Sequence, residues 1–364
     1  MSLSDTNKVR NYKIDFLRAV SMLLIVVQHY VVWGVKPSPH AFFDTSRILG
    51  GANLLTMDPL YLLSCIGVNC FVMISGYFMI TRNDYRWKSL INLWATTVFY
   101  SVVLYLITAA LSGNLNKREL VNCFLPVWSK QYWFVSTYLA VMLLAPFLSK
   151  IATSISKKSY QVLLAIMFGL SFMVPYGNQF AGGQSVMWMT FVFLFAGYIK
   201  LHGFHEKLTK HAGKIAVLLC LLYTATFYAV DALKLHHIVG DGFQLHGFAS
   251  DSPIFFMSLA LFLMTIRNSD GKKYRWMSFS VKIAPYILAV YLIHMNRNFY
   301  PYVWKIFIPE HYVMPMALHA LICCSAIFVA CIVVDYIRER VFRILGISAF
   351  VEKVSSRITI SKIK

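Results

Sequence analysis

The chain has 364 residues, of which 58% are apolar and 13% charged, and its mean hydropathy is +0.61. A soluble domain of this length could not bury so much apolar surface, so the composition indicates a polytopic membrane protein. The formal net charge of +19 would suggest nucleic acid in a soluble chain, but here the basic residues fall between apolar runs, as in the cytoplasmic loops of a bilayer protein, and no nucleic-acid partner is expected.

The polar N-terminus leads into the first apolar run, 14–35, which is too long for a signal-peptide core and is expected to be a retained helix. Nine further spans are expected, at 59–80, 89–111, 132–149, 160–175, 186–200, 214–231, 253–267, 283–300 and 313–336. The fold class is therefore all-α and polytopic, with about ten transmembrane helices. With a cytoplasmic N-terminus, only Lys36, Arg47, Lys117, Arg118, Lys130, Lys234, Arg297 and Lys305 face outward, and the other 26 of the 34 Lys and Arg face inward. That asymmetry obeys the positive-inside rule in every alternate loop and puts both termini in the cytoplasm. Residues 1–336 then form the transmembrane domain, and 337–364 a basic cytoplasmic tail attracted to anionic membrane lipid. Of the seven cysteines, six lie in apolar runs and none forms a CxxC pair, so they are expected to be small core residues.

Ionisable residues inside the spans are the candidates for chemistry. In the first helix Arg18 and His29 are eleven positions apart, about three turns, so they share a stripe with Asp15, Met22 and Ile25. His29 would lie about 16 Å deeper than Arg18, at 1.5 Å per residue. An imidazole kept out of water stays neutral and can take a proton, which is what a general base acting on a hydroxyl requires. The plainer reading is a neutral ring bonded to a neighbouring helix. Arg82, Arg86 and Lys88 form a second basic group where the second helix emerges, suited to phosphate oxygens or serving only as a topology signal. In the ninth helix His294 and Arg297 are expected on one face by their i, i+3 spacing, as a second polar wall of the same cavity or a structural hydrogen bond. His319 is expected to be structural. Gln131, Tyr132, Trp133 and Tyr138 offer an amphipathic surface where the fourth span enters. His236, His237, Asp241 and His246, with Phe243 and Phe248, suit a sugar site better than a metal, because their spacing matches no standard metal site. No serine-hydrolase elbow, HExxH or Walker loop is present.

Four segments in order, KIDFLRAVSMLLIVVQHY, GVNCFVMISGYFMI, QYWFVSTYLAVMLLAPFLS and APYILAVYLIH, give the chain a resemblance to acyltransferase family 3 over nearly its whole length. These are bacterial integral-membrane acyltransferases of surface glycans, and Arg18 and His29 fit the family's R-x10-H pattern. The resemblance implies a multi-pass protein of the bacterial cytoplasmic membrane. It also implies transfer of an acyl group, usually acetyl, from acyl-CoA to a hydroxyl of a glycan or its lipid-linked precursor. By position it makes His29 the catalytic histidine and Arg18 its partner near the donor. The family's R-x-x-R motif finds its nearest match in Arg82 and Arg86, one residue wider, as donor-binding groups. His294, Trp133 and Tyr138 are expected to contact substrate, acyl-CoA is a co-substrate, and no permanently bound cofactor or metal is expected. No esterase-like module is fused, so transfer is expected to be completed in the membrane part or handed to another protein. The rival reading is a transporter or flippase for a lipid-linked sugar. It would use the buried histidines as proton relays, but the internal repeats or paired broken helices common in transporters are not convincingly present.

Overall fold

The computed structural model describes residues 11–35, 59–173, 183–233, 252–267, 277–306 and 315–358, and within them every extended element is a helix. They are α1 (Tyr12–His29), α2 (Pro59–Met79), α3 (Trp87–Ser112), α4 (Lys117–Phe124), α5 (Trp133–Ser154), α6 (Lys157–Met173) and α7 (Val186–His202). Then follow α8 (Glu206–Ala232), α9 (Ser252–Arg267), α10 (Ser278–His294), α11 (Tyr300–Ile306), α12 (Met316–Ile344) and α13 (Ile347–Arg357). A helix occupies most of each of the ten expected spans. By length and hydropathy five candidate membrane spans stand out, Tyr12–Gly34, α2, α3, α5 and α12, with α7, α9 and α10 as shorter apolar helices.

Large apolar side chains exposed along one side of a helix need an apolar solvent, and Leu106, Ile107, Leu218, Leu222, Leu321, Ile322 and Val329 supply such faces on α3, α8 and α12. Because lipid competes with apolar contacts between helices, packing in a membrane relies on small residues and interhelical hydrogen bonds. Both occur in the centre. Buried Trp188 of α7 donates from Nε1 to Asn69 Oδ1 of α2 at 3.1 Å, and Asn69 Nδ2 donates to Ser258 Oγ of α9 at 3.3 Å. Gly67 and Gly76 set how closely α2 approaches its neighbours. A Cβ at Gly67 would sit 2.5 Å from the Ser21 carbonyl oxygen of α1, and one at Gly76 would sit 2.2 Å from the Phe193 carbonyl oxygen of α7. Backbone cannot yield as a flexible side chain does, so Gly76→Ala is expected to cost about 1–3 kcal/mol by overpacking, read as a lower melting temperature of the purified protein. An unchanged melting temperature would contradict this packing.

The last long helix runs past 336, the expected end of the tenth span. It continues to Ile344, because Asp335 and Arg338 pair one turn apart inside the fold. Arg338 donates from Nε and Nη2 to the two oxygens of Asp335 at 2.7 and 2.9 Å, Tyr100 of α3 donates to Asp335 at 2.7 Å, and the guanidinium lies 4.8 Å over the Phe342 ring. Gly346, at φ 71, then turns the chain into α13, where Lys88 meets Glu352 at 2.6 Å and holds that carboxyl below the ordinary range. Asp335→Ala strands a buried guanidinium and is expected to destabilise the protein by about 3–5 kcal/mol, measurable by thermal unfolding. Lys88→Ala, on an exposed pair, should leave stability within about 1 kcal/mol.

Candidate functional site

The site begins with how α1 starts. Asn11 caps the helix by accepting from the Lys13 and Ile14 amides at 3.1 and 3.3 Å, and Asp15 lies buried in the first turn. Arg18 donates to Asp15 at 2.9 Å with its side chain 37% exposed. Further along the stripe Met22 and Ile25 are buried, and His29 ends the regular helix. From Tyr30 to Val35 the chain runs as a π-helix, an irregularity often found where a side chain must be aimed.

His29 Nδ1 lies 2.9 Å from Nε2 of His294, and Nδ1 of His294 lies 2.5 Å from the Val290 carbonyl oxygen one turn earlier in α10. A carbonyl only accepts, so the His294 Nδ1 carries a proton. With both rings neutral, the His294 Nε2 is then an acceptor and His29 Nδ1 donates to it. That leaves the His29 Nε2 lone pair free, since no described residue bonds it. Buried His294 is itself held by the end of α10. Tyr132, the residue that precedes α5, donates to the Leu292 carbonyl at 2.9 Å and accepts from Asn296 Nδ2 at 2.6 Å, while Asn296 Oδ1 accepts from the amides of Asn298 and Phe299. Val290, His294 and His29 therefore form a directed hydrogen-bond chain from a fixed backbone atom to a basic nitrogen that no described residue bonds.

His29 faces a cavity of about 80 Å³ walled by Met22 and Ile25 of α1, Trp133 and Phe134 of α5 and Tyr291 of α10. Gln28 and Gln184 are the polar residues that line it beside His29. The space holds several waters or a small acyl group. Met22 and Ile25 carry the wall back along the stripe toward Arg18.

The structure brings His29, His294 and Trp133 together. Arg18 stands about three turns along the same helix from His29, as its spacing indicates. Tyr138 is not in the wall; its hydroxyl bonds Ser75 at 2.9 Å and its ring stacks on Phe134 at 5.6 Å. Arg82 and Arg86 lie in the α2–α3 connection outside the cavity, with Arg82 3.8 Å from Asp84 and Arg86 preceding α3. The pairing of His294 with Arg297 on one helical face is corrected. The helix ends at His294, the cap residue Met295 leaves the helical conformation, and Arg297 is an exposed turn residue. His319, expected to be structural, is buried 2.6 Å from the Tyr30 hydroxyl and 3.4 Å from Cys323 Sγ. Gln131 is buried and bonds Ser101. The cluster of His236, His237, Asp241, Phe243, His246 and Phe248 lies outside the described residues. No group of three metal-ligating side chains occurs among the described residues. Gln28, Tyr291 and Gln184 were missed. Gln28 carried a signal as a polar residue at membrane depth beside His29, and Tyr291 as the residue one turn before His294; Gln184 carried none.

A family model described as "Acyltransferase domain" matches residues 11–348. No curated protein and no solved structure matches the chain.

Proposed function

The chain belongs to this acyltransferase family, and from that premise we propose that it moves an acyl group, acetyl before larger ones, from cytoplasmic acyl-CoA to a hydroxyl of a cell-surface polysaccharide or its lipid-linked precursor. In this reading ten helices cross the bacterial cytoplasmic membrane and both termini are cytoplasmic. The observation that carries the proposal is that His29 lines a small cavity with an Nε2 that no described residue bonds, its ring oriented from behind by His294.

The acceptor hydroxyl enters the cavity and gives its proton to His29 Nε2 as its oxygen attacks the thioester carbonyl. The tetrahedral intermediate collapses by breaking the C–S bond, and the departing thiolate takes the proton back from His29, which returns the ring to neutrality. Gln28, whose Nε2 donates to Cys65 Sγ at 3.5 Å, and Tyr291 line the same space, and in this reading their amide and hydroxyl donate to the oxyanion. The size of the cavity supports an acetyl or similarly small group there, with nucleotide and glycan outside. CoA phosphates cannot cross the bilayer, so they stay at the inner surface, where Arg18, Arg82 and Arg86 hold them. Trp133 packs on the substrate, and Tyr138 acts on that wall through Phe134.

Purified protein in lipid nanodiscs, given radiolabelled acetyl-CoA and candidate glycans, should place label on glycan. Counterflow of unmodified lipid-linked sugar with no label transfer would replace this reading with a transporter. Arg18→Ala is expected to raise KM for acyl-CoA by about 10–100-fold, the equivalent of a lost charge-assisted hydrogen bond. Unchanged donor KM would remove Arg18 from the donor site.

A further inference from the structure

A second and much larger cavity, about 690 Å³, lies between α6, α7 and α9, and the chemistry above does not use it. Its inner wall is a set of phenylalanines in mutual contact. Phe168 of α6 stands 5.7 Å from Phe191 of α7 and 6.0 Å from Phe255 and Phe256 of α9, and Phe195 stands 5.3 Å from Phe255. The other end is polar. There Lys157 opens α6, Gln161 donates to the Tyr198 hydroxyl at 2.7 Å, and His202 and His205 flank the end of α7. Lys157 and His205 are exposed, and His202 Nε2 is shut from solvent with no hydrogen-bond partner among the described residues. Among the described residues, no Asp or Glu lines the cavity.

The spacing gives the cavity its length. Phe168 is eleven residues from Lys157 and Phe191 eleven from His202, so the aromatic floor lies about 16 Å from the basic mouth on both helices, at 1.5 Å rise per residue. Half of a hydrocarbon core about 30 Å thick is about 15 Å. The slot is therefore as deep as one leaflet, apolar where acyl chains lie and cationic where phosphates lie.

We propose that this slot between α6, α7 and α9 binds one acyl chain of an anionic membrane phospholipid, whose phosphate is held at the mouth by the exposed Lys157 and His205. The charge at the mouth selects the headgroup, and the phenylalanine wall takes up the chain. The ligand is a component of the bilayer and not the glycan acceptor, so the site stands whether or not His29 is the catalytic base.

The test uses full-length protein in nanodiscs containing phosphatidylglycerol with a photoactivatable group near the end of one acyl chain, or phosphatidylcholine carrying the same group. After irradiation, the labelled peptides are mapped by mass spectrometry. Phosphatidylglycerol is expected to label peptides containing Phe168, Phe191 and Phe255 at least fivefold more than phosphatidylcholine. Ala165→Trp, which fills the slot from α6, should reduce that labelling at least fivefold, and Lys157→Glu combined with His205→Glu should abolish the preference between the two lipids. Equal labelling by both lipids in the unaltered protein would overturn the proposal. So would undiminished labelling in Ala165→Trp. Melting curves of each variant separate loss of the site from loss of the fold.

Discussion

His29→Ala is expected to lower acyl transfer by about 10²–10⁴-fold, the range that a positioned general base contributes, while the protein still elutes as a folded species. The size of the effect follows from geometry. Among the described residues, His29 Nε2 is the free basic ring nitrogen facing the cavity, because the opposite nitrogen is engaged with His294 at 2.9 Å and His294 is engaged with Val290. Gln at position 29 can keep a donor toward His294 but offers no base, so His29→Gln should be as inactive as His29→Ala. Activity in either variant within tenfold of the unaltered enzyme would show that the proton leaves by another route. Stability should change little, since the ring borders a cavity and is not packed on every side.

His294→Ala should be the second most damaging change, with kcat lower by about 10²–10³-fold and the donor KM unchanged, as when an orienting partner of a catalytic histidine is removed. Without His294, nothing described holds the proton on His29 Nδ1 or stops the ring from rotating, so the lone pair no longer has a fixed direction. His294→Gln is the informative comparison. A Gln at this position offers an oxygen to accept from His29 and an amide to donate to Val290, so it should recover at least tenfold over Ala. A purely structural His294 would give a different pattern, in which melting temperature and activity fall together and Gln restores neither selectively. The Tyr132–Asn296 brace behind His294 accounts for the rigidity of this chain of bonds.

The stripe reading of α1 rests on one helix alone. Arg18, Met22, Ile25 and His29 share a stripe because 3.6 residues per turn is a local property of backbone hydrogen bonding. Arg297 failed for the complementary reason. The i, i+3 argument needs a continuous helix, and the helix ends at His294, where buried Asn296 turns the chain by accepting from the amides of Asn298 and Phe299. A polar residue with that role, two positions beyond a histidine, was a visible stop signal. The extension of α12 past 336 was harder to see. Arg338 looks like any inner-loop cation until its carboxylate partner and Tyr100, 235 residues from Asp335, are brought beside it.

Read by itself, the sequence determined the all-helical membrane class, a helix in each long apolar run, the family and the stripe that carries Arg18 and His29, because these depend on composition and local periodicity. Only the tertiary structure decided that His294, 265 residues away, is the partner of His29. It alone decided which ring nitrogen is left free, that Gln28, Gln184 and Tyr291 join Trp133 around it, and that Tyr138 does not. Those outcomes depend on which helices touch and how they are rotated, and close backbone approaches such as those at Gly67 and Gly76 set that across hundreds of residues.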